Sequence, residues 1–173
     1  HRAMTRTELK NKKILGLWLF FMPSKLLPIS NEEKEWVKKL GPKKGSIFHF
    51  SRGCMRNVIS NISGWEPHDI PLKSDPGKPP LLAEGWGHIS ISHCSNALFI
   101  GWSSARIGVD IEKNDRNFEA HKFSKRFFTK YENNEIKNLP PRKAREQVLN
   151  RWVVKEAAIK WQNGTISSNL SQW

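Results

Sequence analysis

Apolar stretches along the chain predict the strands of a small sheet. The run Ile14–Met22 is apolar at almost every position, which is typical of a buried strand. Residues 88–92 alternate between polar and apolar side chains, and residues 97–102 form a second compact apolar run. Cys94-Ser95-Asn96 lies between them and suits a tight turn, so the two runs predict a hairpin.

Helical patterns occupy much of the remaining chain. Ser30 with Glu33 three residues later predicts a capping box, and the helix that follows should end at Gly41-Pro42. Further helical patterns cover about 47–60, 118–128, 132–139 and 142–162, the last ending at Gly164. This mixed order of strands and helices predicts an α+β fold rather than regular βαβ winding.

The charge of the chain restricts its partners. Lys and Arg number 29 and Asp and Glu number 16, which gives a formal net charge of +13. Such an excess attracts polyanions and acidic surfaces. Nucleic acid, an anionic membrane surface, a phosphorylated cofactor and an acidic protein all remain open on charge alone.

Cysteine content and hydropathy indicate the compartment. The spacing of Cys54 and Cys94 suits neither a zinc site nor a disulfide framework, so we expect two reduced thiols in a cytoplasmic protein. Ile14–Met22 is the longest apolar run and is too short to cross a bilayer, so we expect no membrane association. Residues 1–13 are expected to be a tag remnant or a disordered start.

Two carboxylates stand close together in an apolar context. Residues 107–112 predict a strand, in which Asp110 and Glu112 would share one face while Val109 and Ile111 pack inward. Neighbouring carboxylates repel each other unless a cation lies between them, and oxygen ligands suit Mg²⁺. A solvated surface pair is the alternative interpretation.

A third carboxylate lies on the long C-terminal helix. Helical spacing places Trp152, Glu156 and Lys160 on one face. An ordinary solvated Glu–Lys pair would explain the two charges, but Trp152 favours a face that is at least partly buried. A buried glutamate needs a partner, and a metal ion would serve.

Two shorter segments could bind phosphate. His93 directly follows a predicted strand and is preceded by the hydroxyl of Ser92. A single histidine is more often a structural hydrogen-bond donor than a ligand, so this alternative stays open. Gly77-Lys78-Pro79 offers one cation in a short loop and indicates little by itself.

Taken together, these segments resemble the 4′-phosphopantetheinyl transferases. The similarity is to the long, broad-specificity type found in surfactin-synthetase activation and in cyanobacteria, and it extends from about Leu17 to the end. The two most specific motifs are G-V-D-I-E at 108–112 and W-V-V-K-E-A-A-I-K at 152–160. The other matching segments are Gly77-Lys78-Pro79, Ile91-Ser92-His93, Lys125-Arg126-Phe127-Phe128 and Glu132.

The resemblance implies an α+β fold of two similar lobes related by a pseudo-twofold axis, with coenzyme A between them. The lobes would cover 14–104 and 105–173. Family members usually continue for several tens of residues beyond the long helix, so we expect the second lobe to be shortened.

The resemblance also implies a reaction and the residues that perform it. The family moves the 4′-phosphopantetheine group of coenzyme A to a serine of an apo acyl or peptidyl carrier protein, releasing 3′,5′-ADP, as a holo-[acyl-carrier-protein] synthase does. Mg²⁺, with Mn²⁺ as a substitute, would be held by Asp110, Glu112 and Glu156, with Glu156 and Lys160 catalytic. Coenzyme A would contact Gly77, Lys78, Pro79, Ser92, His93, Lys155, Lys160 and Arg52.

Two other functions compete with this one. A basic nucleic-acid-binding module would account for the charge and for the eight tryptophans. However, Trp18, Trp36, Trp102 and Trp152 lie in apolar periodic contexts, and the cations are scattered rather than aligned. A catalytically silent relative that only binds coenzyme A or a carrier protein is the second alternative. We expect a monomer that does not bind nucleic acid.

Overall fold

The structure is a computed structural model that describes residues 2–22 and 24–163. It has mixed α and β structure with two small antiparallel sheets. The strands are β1 (Leu15–Phe21), β2 (Leu72–Lys73), β3 (Leu81–Leu82), β4 (His88–Cys94) and β5 (Ala97–Ser103). The helices are α1 (Arg6–Asn11), α2 (Asn31–Leu40), α3 (Pro42–Ser63), α4 (Ala120–Phe127), α5 (Lys130–Ile136) and α6 (Pro141–Gln162).

Contacts divide the chain into two compact units. The first comprises His1–Ile91 with Ser95–Ile107, and the second comprises Ser92–Cys94 and the chain from Gly108 onward. The α+β class is therefore confirmed. The lobe limits at 14–104 and 105–173, their pseudo-twofold relation and a shortened second lobe stay predictions.

The first unit is built around a three-stranded sheet. Its strand order is β1-β5-β4, and β1 pairs antiparallel with β5 from Leu15↔Ser103 to Phe21↔Ala97. The predicted hairpin is present, with Ser95 and Asn96 as its two turn residues. The core beside the sheet includes Ile100 and Trp102, both fully buried. This unit therefore has a well-packed interior despite its small sheet.

The start of the chain departs from one expectation. Residues 1–13 were expected to be a tag remnant or a disordered start, which stays a prediction; within them Thr5 and Glu8 form a capping box for α1, which buries Leu9 in the core. Ile14–Met22, which contains β1, was expected to be a buried strand. Its burial instead alternates, and its exposed side chains are Leu15, Leu17, Leu19 and Phe21. The core covers only one face of the sheet, so every second side chain of β1 remains outside.

The helix predictions were close because their signals are local. Ser30 caps α2 and Glu33 closes the predicted capping box, with Gly41 at the C-terminal end. The next helix is longer than predicted, since Pro42 begins it at a position that proline tolerates. Asn163 in the left-handed conformation ends α6. The predicted terminator, Gly164, lies outside the described residues.

The second unit is mainly helical. Its core lies between α4, α5 and α6 and contains Ile136, Ala144 and Val148, none of which is exposed. The long helix α6 begins at Pro141 and carries the predicted row of Trp152, Glu156 and Lys160. No helix in the described parts of the chain has the length and apolar content that a bilayer crossing requires.

Candidate active site

The segment that carries Asp110 is not a strand, and this corrects the sequence prediction for 107–112. Among the residues that the structure describes, no strand pairs with it. Side chains take the place of a ladder: the backbone N–H of Ile111 donates to Ser92 Oγ at 3.2 Å, and Lys160 Nζ donates to the carbonyl of Val109 at 3.0 Å. The alternation of apolar and acidic residues thus reflects an extended segment held by side chains of the second unit.

Gly108 allows this segment to lie directly against α6. A Cβ atom at Gly108 would overlap the carbonyl oxygen of Ala157 and stand 2.6 Å from the backbone nitrogen of Trp161. Any side chain would therefore push the segment away from the helix. The absence of one at Gly108 keeps Asp110 within reach of Lys160.

Asp110 is the most constrained carboxylate of the site. Its Oδ1 accepts hydrogen bonds from Ser92 Oγ at 2.8 Å and from Lys160 Nζ at 3.0 Å. Only 8% of the side chain is exposed. Within the described residues, the buried Oδ2 has no hydrogen-bond donor. A buried acceptor without a donor costs stability, so this oxygen is available to a cation.

Glu156 lies on α6 in the electrostatic field of the other acidic groups. It is buried, and its Oε1 accepts a hydrogen bond from Trp152 Nε1 at 3.0 Å. Burial raises the pKa of Glu156, and the charges of Asp110 and Glu112 raise it further. The Trp152 hydrogen bond and the charge of Lys160 only partly oppose this rise. Glu156 therefore holds a proton more readily than an ordinary glutamate.

The third predicted carboxylate, Glu112, has a partner that the sequence did not single out. Arg116 Nη1 donates to Glu112 Oε1 at 2.6 Å. The guanidinium of Arg116 also lies 4.9 Å from the centre of the Trp152 ring, whose other contacts include a stack on Phe123 at 4.2 Å. The only sequence signal was the spacing of four residues between Glu112 and Arg116, which has little meaning outside a helix.

Asp110, Glu112 and Glu156 carry enough negative charge to bind a divalent cation, but their oxygens do not surround a single position. Among the residues that the structure describes, no group of three His, Cys, Asp or Glu side chains is set to hold a metal. Nevertheless, Asp110 offers a buried oxygen without a hydrogen-bond donor, and the negative charges of Asp110 and Glu112 are close enough to Glu156 to raise its pKa. Such a donor set suits a hard cation with oxygen ligands.

The structure gives mixed results for the residues expected to bind coenzyme A through this unit. Ser92 is buried and hydrogen-bonded to Asp110, whereas His93 is exposed. Lys155 is almost fully buried; its Nζ forms an ion pair with Glu132 at 3.0 Å and lies over the ring of Phe128. The ammonium of Lys155 is thus directed toward the start of α5.

The other expected ligands belong to the first unit. Gly77 has a φ of 75°, and Lys78 follows it with 71% of its side chain exposed, beside Pro79. Arg52 is only 8% exposed and donates to backbone oxygens of Ser74 and Asp75. Lys78 Nζ lies 3.6 Å from Asp75 Oδ2; such an exposed ion pair is weak, so a phosphate can compete for the lysine, whereas the guanidinium of Arg52 is occupied within the protein.

Comparison with known proteins gives two findings. A model described as the 4′-phosphopantetheinyl transferase superfamily matches residues 106–173, which include Asp110, Glu112 and Glu156. The 4′-phosphopantetheinyl transferase HetI of Nostoc sp. (strain PCC 7120) is 24% identical over 124 residues, which is 69% of this chain and 52% of that protein. The chain thus spans about half the length of this relative. Both findings make the chain similar to 4′-phosphopantetheinyl transferases, and the superfamily match lies in residues 106–173.

Proposed function

We propose that this chain transfers the 4′-phosphopantetheine group of coenzyme A to a serine of an apo acyl or peptidyl carrier protein. The observation that carries the proposal is the arrangement, within one unit, of buried Asp110, of Glu156 with its raised pKa, and of Lys160. The superfamily match covers the same residues. The same proposal includes four further points. The chain has holo-[acyl-carrier-protein] synthase activity, is of the long type found in cyanobacteria, is located in the cytoplasm and is a monomer.

Asp110, Glu112 and Glu156 would hold Mg²⁺, or Mn²⁺ in its place. When bound, the ion supplies Lewis-acid stabilisation of pyrophosphate oxygens. The chain prepares for it by leaving Asp110 Oδ2 without a donor while Ser92 and Lys160 fix Oδ1. Two hydrogen bonds on one oxygen orient the carboxylate and leave the other oxygen for the cation.

Lys160 would stabilise charge on the leaving group. Its Nζ is anchored by the Val109 carbonyl and by Asp110, both at 3.0 Å. A fixed ammonium group of this kind needs little reorganisation when negative charge grows on a phosphate oxygen. In the proposed reaction that charge develops on 3′,5′-ADP as the pyrophosphate P–O bond breaks.

Glu156 would accept the proton of the attacking serine as the new O–P bond forms. Its raised pKa favours proton uptake, and the indole N–H of Trp152 orients Oε1. Glu156→Gln keeps the shape but cannot accept a proton. If this variant keeps both Mg²⁺ binding and near-normal turnover, the role of base is wrong.

The decisive experiment mixes the chain with an apo carrier protein, coenzyme A and Mg²⁺ and measures the intact mass of the carrier. We expect the mass to increase by one phosphopantetheine group. Asp110→Asn should abolish the increase, whereas Asp115→Asn, the same change at an exposed aspartate five positions away, should preserve it. An unmodified carrier across a panel of fatty-acid, polyketide and peptide carriers would refute the proposal.

The same samples test the nucleic-acid alternative. Trp86 and Trp102 are almost fully buried, so neither can stack on bases. The charge of +13 would instead attract an acidic carrier surface, and the rate of association should fall as salt increases. Affinity for nucleic acid without any transfer would favour the alternative.

A further inference from the structure

A buried polar network in the first unit is not used by the reaction proposed above. Two arginines, Arg52 and Arg56, lie one turn apart on α3 and are 8% and 2% exposed. Glu33 of α2 and Ser74, which follows β2, are also buried. Burying so many polar groups is costly unless they serve one another as partners, and they do.

Glu33 and Arg56 form the base of this network. Arg56 Nε and Nη2 donate to the two oxygens of Glu33 at 2.7 and 3.0 Å, the paired geometry that arginine and a carboxylate favour. Glu33 Oε1 also accepts a hydrogen bond from Ser74 Oγ at 2.9 Å. The carboxylate therefore joins α2 and α3 to the segment that contains Ser74.

Arg52 holds the same segment by its backbone. Its Nε and Nη2 donate to the carbonyl of Ser74 at 3.1 and 2.8 Å, and Nη2 also approaches the carbonyl of Asp75 at 3.3 Å. Its Nη1 donates to Ser51 Oγ at 2.9 Å. Every nitrogen of the guanidinium is therefore engaged inside the protein.

The held segment leads directly into the turn that carries Lys78. The backbone N–H of Lys78 donates to the Asp75 carbonyl at 3.2 Å, and Gly77 between them has a φ of 75°. Proline at the second position and a left-handed glycine at the third are typical of a type II turn. The Asp75 carbonyl thus accepts hydrogen bonds from both Arg52 and the backbone N–H of Lys78. These bonds fix the backbone from which the exposed Lys78 side chain extends.

We propose that Arg52, Ser74 and Glu33 are positioning residues that hold the 75–78 turn so that Lys78 can bind a phosphate of coenzyme A. The inference rests on the proposed function and assigns Arg52 a role different from that of a direct ligand. A guanidinium occupied by two carbonyls and a hydroxyl has no free pair of donors for a phosphate. Ordering the turn in advance lowers the entropy cost of binding.

A double-mutant cycle tests this inference. Ser74→Ala and Arg52→Lys are each made alone and with Lys78→Ala, and KM and kcat for coenzyme A are compared with those for dephospho-coenzyme A. Lys73→Ala is the control, because it removes an exposed cation from the same segment. Ser74→Ala keeps both Arg52–carbonyl contacts, so it remains informative if Arg52→Lys fails to fold.

We expect Ser74→Ala to raise KM for coenzyme A about three- to tenfold with kcat unchanged, the effect of losing one buried hydrogen bond. This increase should disappear in the Lys78→Ala background, since there is then no lysine to position. Hydrogen exchange of the Lys78 amide should be faster in Ser74→Ala than in the Lys73→Ala control.

Three outcomes would overturn the inference. Additive effects of Arg52→Lys and Lys78→Ala would make Arg52 a direct ligand. Unchanged KM and unchanged Lys78 exchange in Ser74→Ala would show that the network does not order the turn. If the wild-type chain neither binds coenzyme A nor modifies a carrier, the proposed function is refuted. Hydrogen exchange of the Lys78 amide in Ser74→Ala then decides separately whether the network holds the turn.

Discussion

Gly108→Ala should separate the two parts of the candidate active site. The φ of Gly108 is not positive, so its backbone conformation is open to alanine. Alanine is instead excluded by lack of space. Its added methyl group would overlap the Ala157 carbonyl oxygen, a backbone atom that cannot rotate away. Either the 108–112 segment or α6 must move.

The cost can be worked out from these contacts. Inserting a methyl group into a packed region costs about 1–3 kcal/mol when side chains can adjust, and more when backbone blocks it. Movement of the segment would also stretch both hydrogen bonds of Lys160, to Val109 and to Asp110, each worth about 1 kcal/mol. We therefore expect a loss of about 3–4 kcal/mol in the free energy of unfolding.

Urea unfolding followed by circular dichroism measures this loss. Gly77→Ala is a matched control, because no atom lies within 4 Å of the added Cβ, although its φ of 75° strains any side chain. The control should lose about 1–2 kcal/mol. Transfer activity and Mg²⁺ binding should fall in Gly108→Ala, because Asp110 would no longer meet Lys160.

The result that would refute this reasoning is a stable Gly108→Ala. A variant within about 0.5 kcal/mol of the wild type would show that α6 and the 108–112 segment are not in close contact. A variant that is destabilised but fully active would instead show that the contact supports folding without positioning Asp110.

Three further predictions concern groups outside this contact. Burial opposes ionisation of Glu33, but the hydrogen bonds from Arg56 and the Ser30 backbone outweigh it and lower its pKa below the ordinary 4.5. The Glu33–Arg56 pair therefore stabilises the fold above that pH and loses its effect as pH falls. In urea unfolding at a series of acidic pH values, the advantage of wild type over Glu33→Gln, roughly 3 kcal/mol, should shrink below about pH 5. A difference that stays constant with pH would contradict this. Burial raises the pKa of Cys54 to about 11, so a thiol reagent at neutral pH should label the half-buried Cys94 and leave Cys54 unmodified, as peptide mapping would reveal. Thr129→Ala removes the cap of α5 and should cost about 1 kcal/mol in thermal unfolding, with an unchanged midpoint as the contrary result.

Local features of the fold were predictable because their signals lie within a few residues of one another. The Ser30–Glu33 capping box, the hairpin around Ser95-Asn96 and the limits of α6 all belong to this class. Each depends on hydrogen bonds or side-chain periodicity inside one element. The sequence also indicated that Trp152 and Glu156 share a face, and the hydrogen bond between them is present.

Features that depend on distant partners were not predictable. Glu33 was identified as a cap, yet its ion pair joins it to Arg56, 23 positions away. Residues 107–112 have the alternation of a strand, but no strand within 2–22 or 24–163 pairs with them, and a ladder requires a partner. The helix α1 was not predicted, because the burial of Leu9 depends on a core formed by residues far along the chain.

The sequence by itself determined the α+β class and most element limits, and two motifs indicated the superfamily that residues 106–173 match. Only the tertiary structure decided what each charged group contacts: Lys160 bonds to Asp110, Lys155 pairs with Glu132, and Arg52 holds backbone carbonyls. The physical reason is that helix caps and periodicity arise within one element, whereas the partner and the pKa of a buried charge depend on groups that meet only after folding.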